Sequence, residues 1–151
     1  MSIWWSLHLP REAASVPLAR RLLLGAMELA GVDPDVSFDL AVALTEACAN
    51  AVEHGGGGRD TPGYRVTAYL DGETCRIEVA DSGPGFPSGW RRRVLRPAPD
   101  GAEHGRGLGL IRELADHVEF TNRPASGGAV VSFDKVLKWQ RDPAPAPLAG
   151  V

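Results

Sequence analysis

Between Phe38 and Gly55 the chain reads Phe-Asp-Leu-Ala-Val-Ala-Leu-Thr-Glu-Ala-Cys-Ala-Asn-Ala-Val-Glu-His-Gly, and no other stretch restricts the fold as strongly. The pattern predicts one amphipathic helix. Leu40, Ala41, Ala43, Leu44, Ala47, Cys48, Ala51 and Val52 give it an apolar face built from small and branched side chains, suited to burial against a second layer. Glu46, Asn50 and His54 follow one another at i, i+4 and i+8, so they lie on a single stripe with a small angular drift. A carboxylate, a carboxamide and an imidazole in a row on such a helix cost free energy unless something satisfies them. A solvated helix edge accounts for any one of them. A cleft beside the helix is the other reading.

The rest of the chain supplies the layers. Ile3 to Leu9 alternates bulky and polar residues as a strand ended by Pro10. Ser15 is placed to cap a helix from Val16 to Ala30, with Pro17 in its first turn and Leu18, Leu22, Leu23, Met27 and Leu29 or Ala30 as its apolar stripe; Gly31 ends it. Asp33-Pro34 restarts the chain in a cap-then-proline arrangement, and the helix runs to the glycines Gly55 to Gly58, more than a C-cap requires. Tyr64–Leu70 and Thr74–Ala80 read as two strands joined at Asp71-Gly72, a strong hairpin signal. Ser82 to about Ala102 is rich in Gly, Pro and Arg and reads as a mobile loop. Gly105 to Gly109 opens a helix to Leu114 or Ala115, and Val118–Thr121 and Ala129–Leu137 close the domain as strands. The tail from residue 138 on, rich in Pro and Ala, is expected to be disordered. This order is not an alternation of strand and helix. It predicts an α+β, two-layer sandwich with helices on one face of a mostly antiparallel sheet, occupying residues 3–137.

Composition narrows the function classes. With 151 residues the chain is sized for one domain, and its net charge of −3 gives no electrostatic reason to expect nucleic acid or an anionic membrane. The run Arg91-Arg92-Arg93 has only Trp90 beside it and reads as a solvated loop. Cys48 and Cys75 both lie in apolar patterns, which predicts buried free thiols in a reducing cytoplasm, not a disulfide framework. No apolar run has the length of a membrane span, and Met1 to Pro10 lacks the marks of a signal peptide, so a cytoplasmic protein is expected.

Two glycine-rich segments carry the remaining chemistry. Asp81-Ser-Gly-Pro-Gly85 stands at a strand end, where the acid can accept hydrogen bonds from an amino group and the glycines allow close backbone approach; alone it reads equally as a turn. Gly105-Arg-Gly-Leu-Gly109 opens a helix, so its free backbone N–H groups favour an anion, although a turn that merely lets a helix pack has the same composition. A P-loop, a dinucleotide-binding βαβ unit and the protein-kinase motif set are all absent, and no zinc-site spacing occurs.

Taken together and in this order, the segments are specific. Leu44-Thr-Glu-Ala-Cys-Ala-Asn-Ala-Val-Glu-His54, Val79-Ala-Asp-Ser-Gly-Pro-Gly-Phe86 and Gly105-Arg-Gly-Leu-Gly-Leu110 resemble the Asn-box helix and the two glycine boxes of the GHKL ATPase superfamily. Within it, the chain looks more like the small bacterial anti-sigma factor serine/threonine-protein kinases. The resemblance covers roughly residues 3 to 137 and implies a Bergerat-type ATP-binding fold. It implies that Asn50 ligates Mg²⁺, that Glu46 is the general base toward a protein serine, and that Asp81 accepts the adenine amino group with Gly83 and Gly85 beside the base. Gly105, Arg106, Gly107, Leu108 and Gly109 would then hold the phosphates of ATP, with the loop from Ser82 to His104 as a lid. His54 would lie near the site in a structural role. Where the family pattern carries a Thr after the last glycine pair, this chain has Ala129, with Ser132 further on.

The activity implied is an ATP- and Mg²⁺-dependent protein serine kinase controlling transcription by partner switching. Its partners would be a sigma factor and an anti-anti-sigma antagonist, with a homodimer possible and no direct contact to nucleic acid or membrane. A non-catalytic, nucleotide-gated binding module of the same fold is the alternative. The detached catalytic half of a sensor histidine kinase fits less well, because no helix pair bearing a phosphoacceptor His precedes the ATP site.

Overall fold

A computed structural model of the chain describes residues 2–56, 63–86, 106–123 and 128–140, with residues 106 and 107 described by their backbone alone. Eight elements follow in order: β1 (Ile3–Leu9), α1 (Ser15–Ala30), α2 (Pro34–His54), β2 (Tyr64–Leu70), β3 (Thr74–Asp81), α3 (Arg106–Leu114), β4 (His117–Asn122) and β5 (Ala129–Val136). The strands form one antiparallel sheet in the order β1-β2-β3-β5-β4. The last two strands therefore swap places, and β5 lies in the interior beside β3 while β4 takes the edge.

Register puts the apolar residues of all five strands into rows on one face. Leu7, Val66, Val79, Val131 and Phe120 form one row; Trp5, Ala68, Ile77, Phe133 and Val118 form the next. The period-two alternation seen in the sequence is thus the alternation between a helix-covered face and an open one. The open face carries Trp4, Tyr69, Arg76, Glu78, Asp134 and His117; Trp4 stacks on Tyr69, and Arg76 pairs with Glu78 and donates to Ser132 Oγ.

The helices pack on the apolar face with α2 in the middle, flanked by α1 and α3. Its Leu40, Ala43, Leu44, Ala47, Cys48 and Ala51 are buried. Small side chains let the sheet and two helices approach the same helix, which is why a sequence so rich in alanine occupies the centre. Asp33 caps it by accepting the N–H of Asp35 at 2.8 Å, with Pro34 at its first position.

Two local expectations are corrected. Ser15 does not cap α1: the N-cap is Ala14, and Ser15 is buried in the first turn, where its Oγ lies 2.6 Å from the Tyr64 hydroxyl and donates to the Glu12 carbonyl at 2.7 Å. The apolar stripe of α1 is also rotated. Val16, Ala19, Leu23 and Met27 are buried, whereas Leu18 and Leu22 are exposed and Leu29 is 92% exposed. Because α1 is apolar around most of its circumference, periodicity alone could not choose the buried face. Contact with α2 chose it.

The hairpin between β2 and β3 forms as expected, by a different device. Gly72 has no positive φ. Instead Asp71 Oδ1 accepts the N–H groups of Glu73 and Thr74, both at 2.7 Å. The expected strands Thr74–Ala80 and Val118–Thr121 extend to Asp81 and His117–Asn122. Lys138 to Gln140 continue past β5: Trp139 bridges to Val32, and Gln140 donates to Gly31 O at 2.8 Å. The expected loop from residue 87, Gly105 and the tail from residue 141 lie outside the described residues. No helix among the described residues is long and apolar enough to cross a membrane.

Candidate functional site

The site is built where β3 ends. Asp81 is the last residue of β3 and lies on the helix-covered face, opposite Tyr64 in the register. It is 5% exposed, an unusual place for a carboxylate unless its oxygens are occupied. Oδ1 accepts two backbone N–H groups, from Gly83 at 2.9 Å and from Ala129 at 3.1 Å. Those bonds fix the orientation of the carboxylate. Oδ2 has no hydrogen-bond partner among the described residues.

Glycines form the walls around this acid. A Cβ on Gly83 would lie 2.6 to 2.9 Å from backbone atoms of Gly55. A Cβ on Gly55 would meet the Ala51 carbonyl oxygen and come within 2.9 Å of the Asp81 side chain. A Cβ on Gly128 would run into the Asp81 carbonyl oxygen. Three separate chain segments, the end of α2, the turn after β3 and the start of β5, thus meet at contact distances only glycine permits. Gly55 has its explanation here: its φ is an ordinary −78°, and it is needed for close approach, not for a left-handed cap. The turn continues through Gly85, whose φ of 80° is left-handed, to Phe86.

The α2 stripe splits into two parts. Glu46 and Asn50 are half-buried, and neither side chain has a hydrogen-bond or ion-pair partner among the described residues. Successive members of the stripe stand about 6 Å apart along the helix axis. His54 is exposed, with Nε2 3.7 Å from Glu53 Oε1. Past it, Arg11 donates from Nε to the Val52 carbonyl at 2.7 Å, and its guanidinium occupies the space where a side chain on Gly56 would stand. An arginine there satisfies an orphan carbonyl and complements the negative end of the helix dipole.

The third expected element is α3, which starts at Arg106 and includes Gly107, Leu108 and Gly109 in its first turn. The first-turn N–H groups of a helix have no intrahelical partner and favour an anion. Leu108 and Ile111 anchor α3 in the core. At its other end, Lys135 Nζ donates to the Leu114 carbonyl at 2.7 Å and lies 3.5 Å from Asp39 of α2.

Several contributors were not visible in the sequence. The Ala129 N–H binds Asp81 through the backbone, which no side-chain motif announces, while Ser132 lies on the open face and accepts from Arg76. Asn122, Arg11 and Lys135 carry no motif. Only Gly55 left a trace, through the length of the glycine run.

Known proteins share this fold. The histidine kinase-like ATPase domain matches residues 9–135. Serine-protein kinase RsbW of Bacillus pumilus (strain SAFR-032) is 31% identical over 143 residues, covering 89% of this chain and 86% of that protein. Among solved structures, the RsbU and RsbW domains of Rv1364c from Mycobacterium tuberculosis superpose with a TM-score of 0.68 at 20% identity, covering 92% of this chain and 34% of that one. The catalytic domain of histidine kinase ThkA gives a TM-score of 0.55 at 16% identity, covering 91% and 99%. By these matches, and by an antiparallel five-stranded sheet with three helices among the described residues, the chain belongs to the histidine kinase-like ATPase domain family.

Proposed function

We propose that the chain is an ATP- and Mg²⁺-dependent protein serine kinase that acts by partner switching, binding a sigma factor and phosphorylating a serine of an anti-anti-sigma antagonist. The observation that carries this reading is the Asp81 carboxylate: one oxygen is held by two backbone N–H groups, and the other has no partner among the described residues, in a place closely packed by glycines. An acceptor so fixed suits the amino group of adenine and disfavours the carbonyl that guanine has in its place. The likeness to serine-protein kinases RsbW along most of the chain supports the reaction.

On this reading Asp81 Oδ2 accepts a hydrogen from the adenine amino group, and Gly83 and Gly85 let the turn lie flat beside the ring. The first-turn N–H groups of α3, from Arg106 to Gly109, receive phosphate oxygens. Asn50 fits a magnesium ion: its amide is half-buried, without a partner among the described residues, and its neutral oxygen is a hard donor. Asn50 would then be the protein ligand that this reading assigns to the ion. Bound there, Mg²⁺ supplies charge neutralisation on the phosphates. Glu46, one turn earlier, takes the proton of the serine hydroxyl as its oxygen bonds to the γ-phosphorus and the bond to the ADP oxygen breaks.

Radiolabelled ATP incubated with a co-purified antagonist tests the assignment. Label on a serine of the antagonist is expected from the wild type. Asn50→Ala is expected to lose Mg-ATP binding, and Glu46→Ala to keep binding and lose transfer. Tight ATP binding by the wild type with no transfer would instead identify a nucleotide-gated binding module, and a Glu46→Ala variant that transfers normally would remove the base assignment.

A further inference from the structure

The turn from Ser82 to Phe86 borders the proposed base pocket and has little stiffness of its own, since it contains two glycines and follows the last residue of β3. One anchor is the bond from Gly83 N to Asp81 Oδ1. The second lies at Phe86. Its N–H donates to Asn122 Oδ1 at 2.7 Å, and its carbonyl accepts from Asn122 Nδ2 at 3.1 Å. The carboxamide thus bonds both backbone groups of Phe86, as a neighbouring strand would. The Phe86 ring meets Phe120, two residues before Asn122, edge to face with centroids 5.9 Å apart.

The position of Asn122 is as informative as its bonds. It ends β4, and its register partner on β5 is Ala129, the residue whose N–H orients Asp81. Both anchors of the turn therefore converge on one cross-strand pair, Asn122 and Ala129. The path Asp81, Ala129, Asn122, Phe86, Gly83 and back to Asp81 is closed, so the carboxylate and the turn beside it are fixed relative to each other. Only an amide does this at position 122: a carboxylate cannot donate to the Phe86 carbonyl, and an aliphatic side chain offers neither group.

We propose that Asn122 is a positioning residue for adenine-nucleotide binding, acting through Phe86 on the turn that borders the Asp81 pocket. This rests on the reading of that pocket as a base site. The variants Asn122→Leu and Asn122→Asp test it in the full chain, with ATP and ADP dissociation constants measured by calorimetry and backbone exchange followed by mass spectrometry without nucleotide. Asn122→Leu loses both hydrogen bonds and Asn122→Asp loses the one to the Phe86 carbonyl, so in each variant the two constants should rise by a common factor, about tenfold for Leu and less for Asp, because the defect lies at the base and not at the phosphates. Exchange is expected to quicken at residues 83–86 and to stay unchanged in β3 and β5. Variants that bind both nucleotides like the wild type overturn the inference, as does quickened exchange throughout the sheet. If the wild type binds but the variants are unaffected, only the role of Asn122 falls. If the wild type binds neither nucleotide, the base-site reading falls, and this inference with it.

Discussion

Asp81 Oδ1 accepts the backbone N–H of Ala129 at 3.1 Å, across 48 residues of sequence, and this bond joins the end of β3 to the start of β5 at the candidate site. One oxygen of the carboxylate is structural and the other is presented, so substitutions at Asp81 should separate the two roles. Asp81→Asn keeps an acceptor for Gly83 and Ala129 and turns the presented oxygen into a donor. It should fold with a melting temperature near that of the wild type and bind ATP at least about tenfold more weakly, since a hydrogen bond to a charged group contributes about 1.5–3 kcal/mol. Asp81→Ala should in addition lose about 1–3 kcal/mol of stability by orphaning two backbone donors. Calorimetry for ATP and thermal melts for both variants check this; an Asn variant that binds ATP like the wild type would refute the base-contact role.

Gly83→Ala places a methyl group 2.6 to 2.9 Å from the backbone of Gly55, where no flexible side chain can yield. The end of α2 and the turn must then separate. Such overpacking costs about 1–3 kcal/mol. The expected result is a lower urea midpoint together with weaker nucleotide binding. By contrast, Gly25→Ala, whose added methyl would meet nothing within 4 Å, should leave binding unchanged.

The thiols of Cys48 and Cys75 are buried, and burial pushes each pKa up from 9.0 to about 12. At pH 8 almost no thiolate is present, and access is closed as well. Native protein should react with a disulfide reagent such as DTNB only as fast as it opens, and both thiols should titrate promptly in denaturant. Rapid reaction of either thiol in the native protein would contradict its placement.

The hairpin carries a pH dependence. Two backbone N–H groups, of Thr74 and Glu73, lower the Asp71 pKa below 3.8. A depressed folded-state value means that this contribution to stability is complete above the unfolded-state pKa and is lost as pH falls through the folded-state one. Denaturant midpoints measured downward from pH 5 should therefore fall less steeply in Asp71→Asn than in the wild type, the difference being confined to pH below about 4.

How much of this was legible beforehand depends on the range of the interaction. Helix α2 could be read almost residue by residue, because a buried helix repeats its pattern within a few turns, and Asp33-Pro34 marks its start in the chain itself. Strand alternation was equally readable, since side chains of a strand point to opposite faces every second residue. For α1 the same method failed, because leucines at 18, 22 and 29 compete with the buried positions 19, 23 and 27 and nothing local separates them.

By itself the sequence determined the elements, their order, the two-layer class and the three motif segments, all of which are written in local periodicity and in residues with restricted or permissive backbones. Tertiary structure alone decided that β5 inserts beside β3, that Gly55 packs on Asp81, that a backbone N–H at Ala129 orients the carboxylate, and that Asn122 clasps Phe86. Each of those depends on which strand lies next to which, and strand pairing at long separation leaves no periodic trace in a single chain. The shared stripe of Glu46 and Asn50 is therefore readable from their spacing, whereas the residues packed around Asp81 had to be seen in three dimensions.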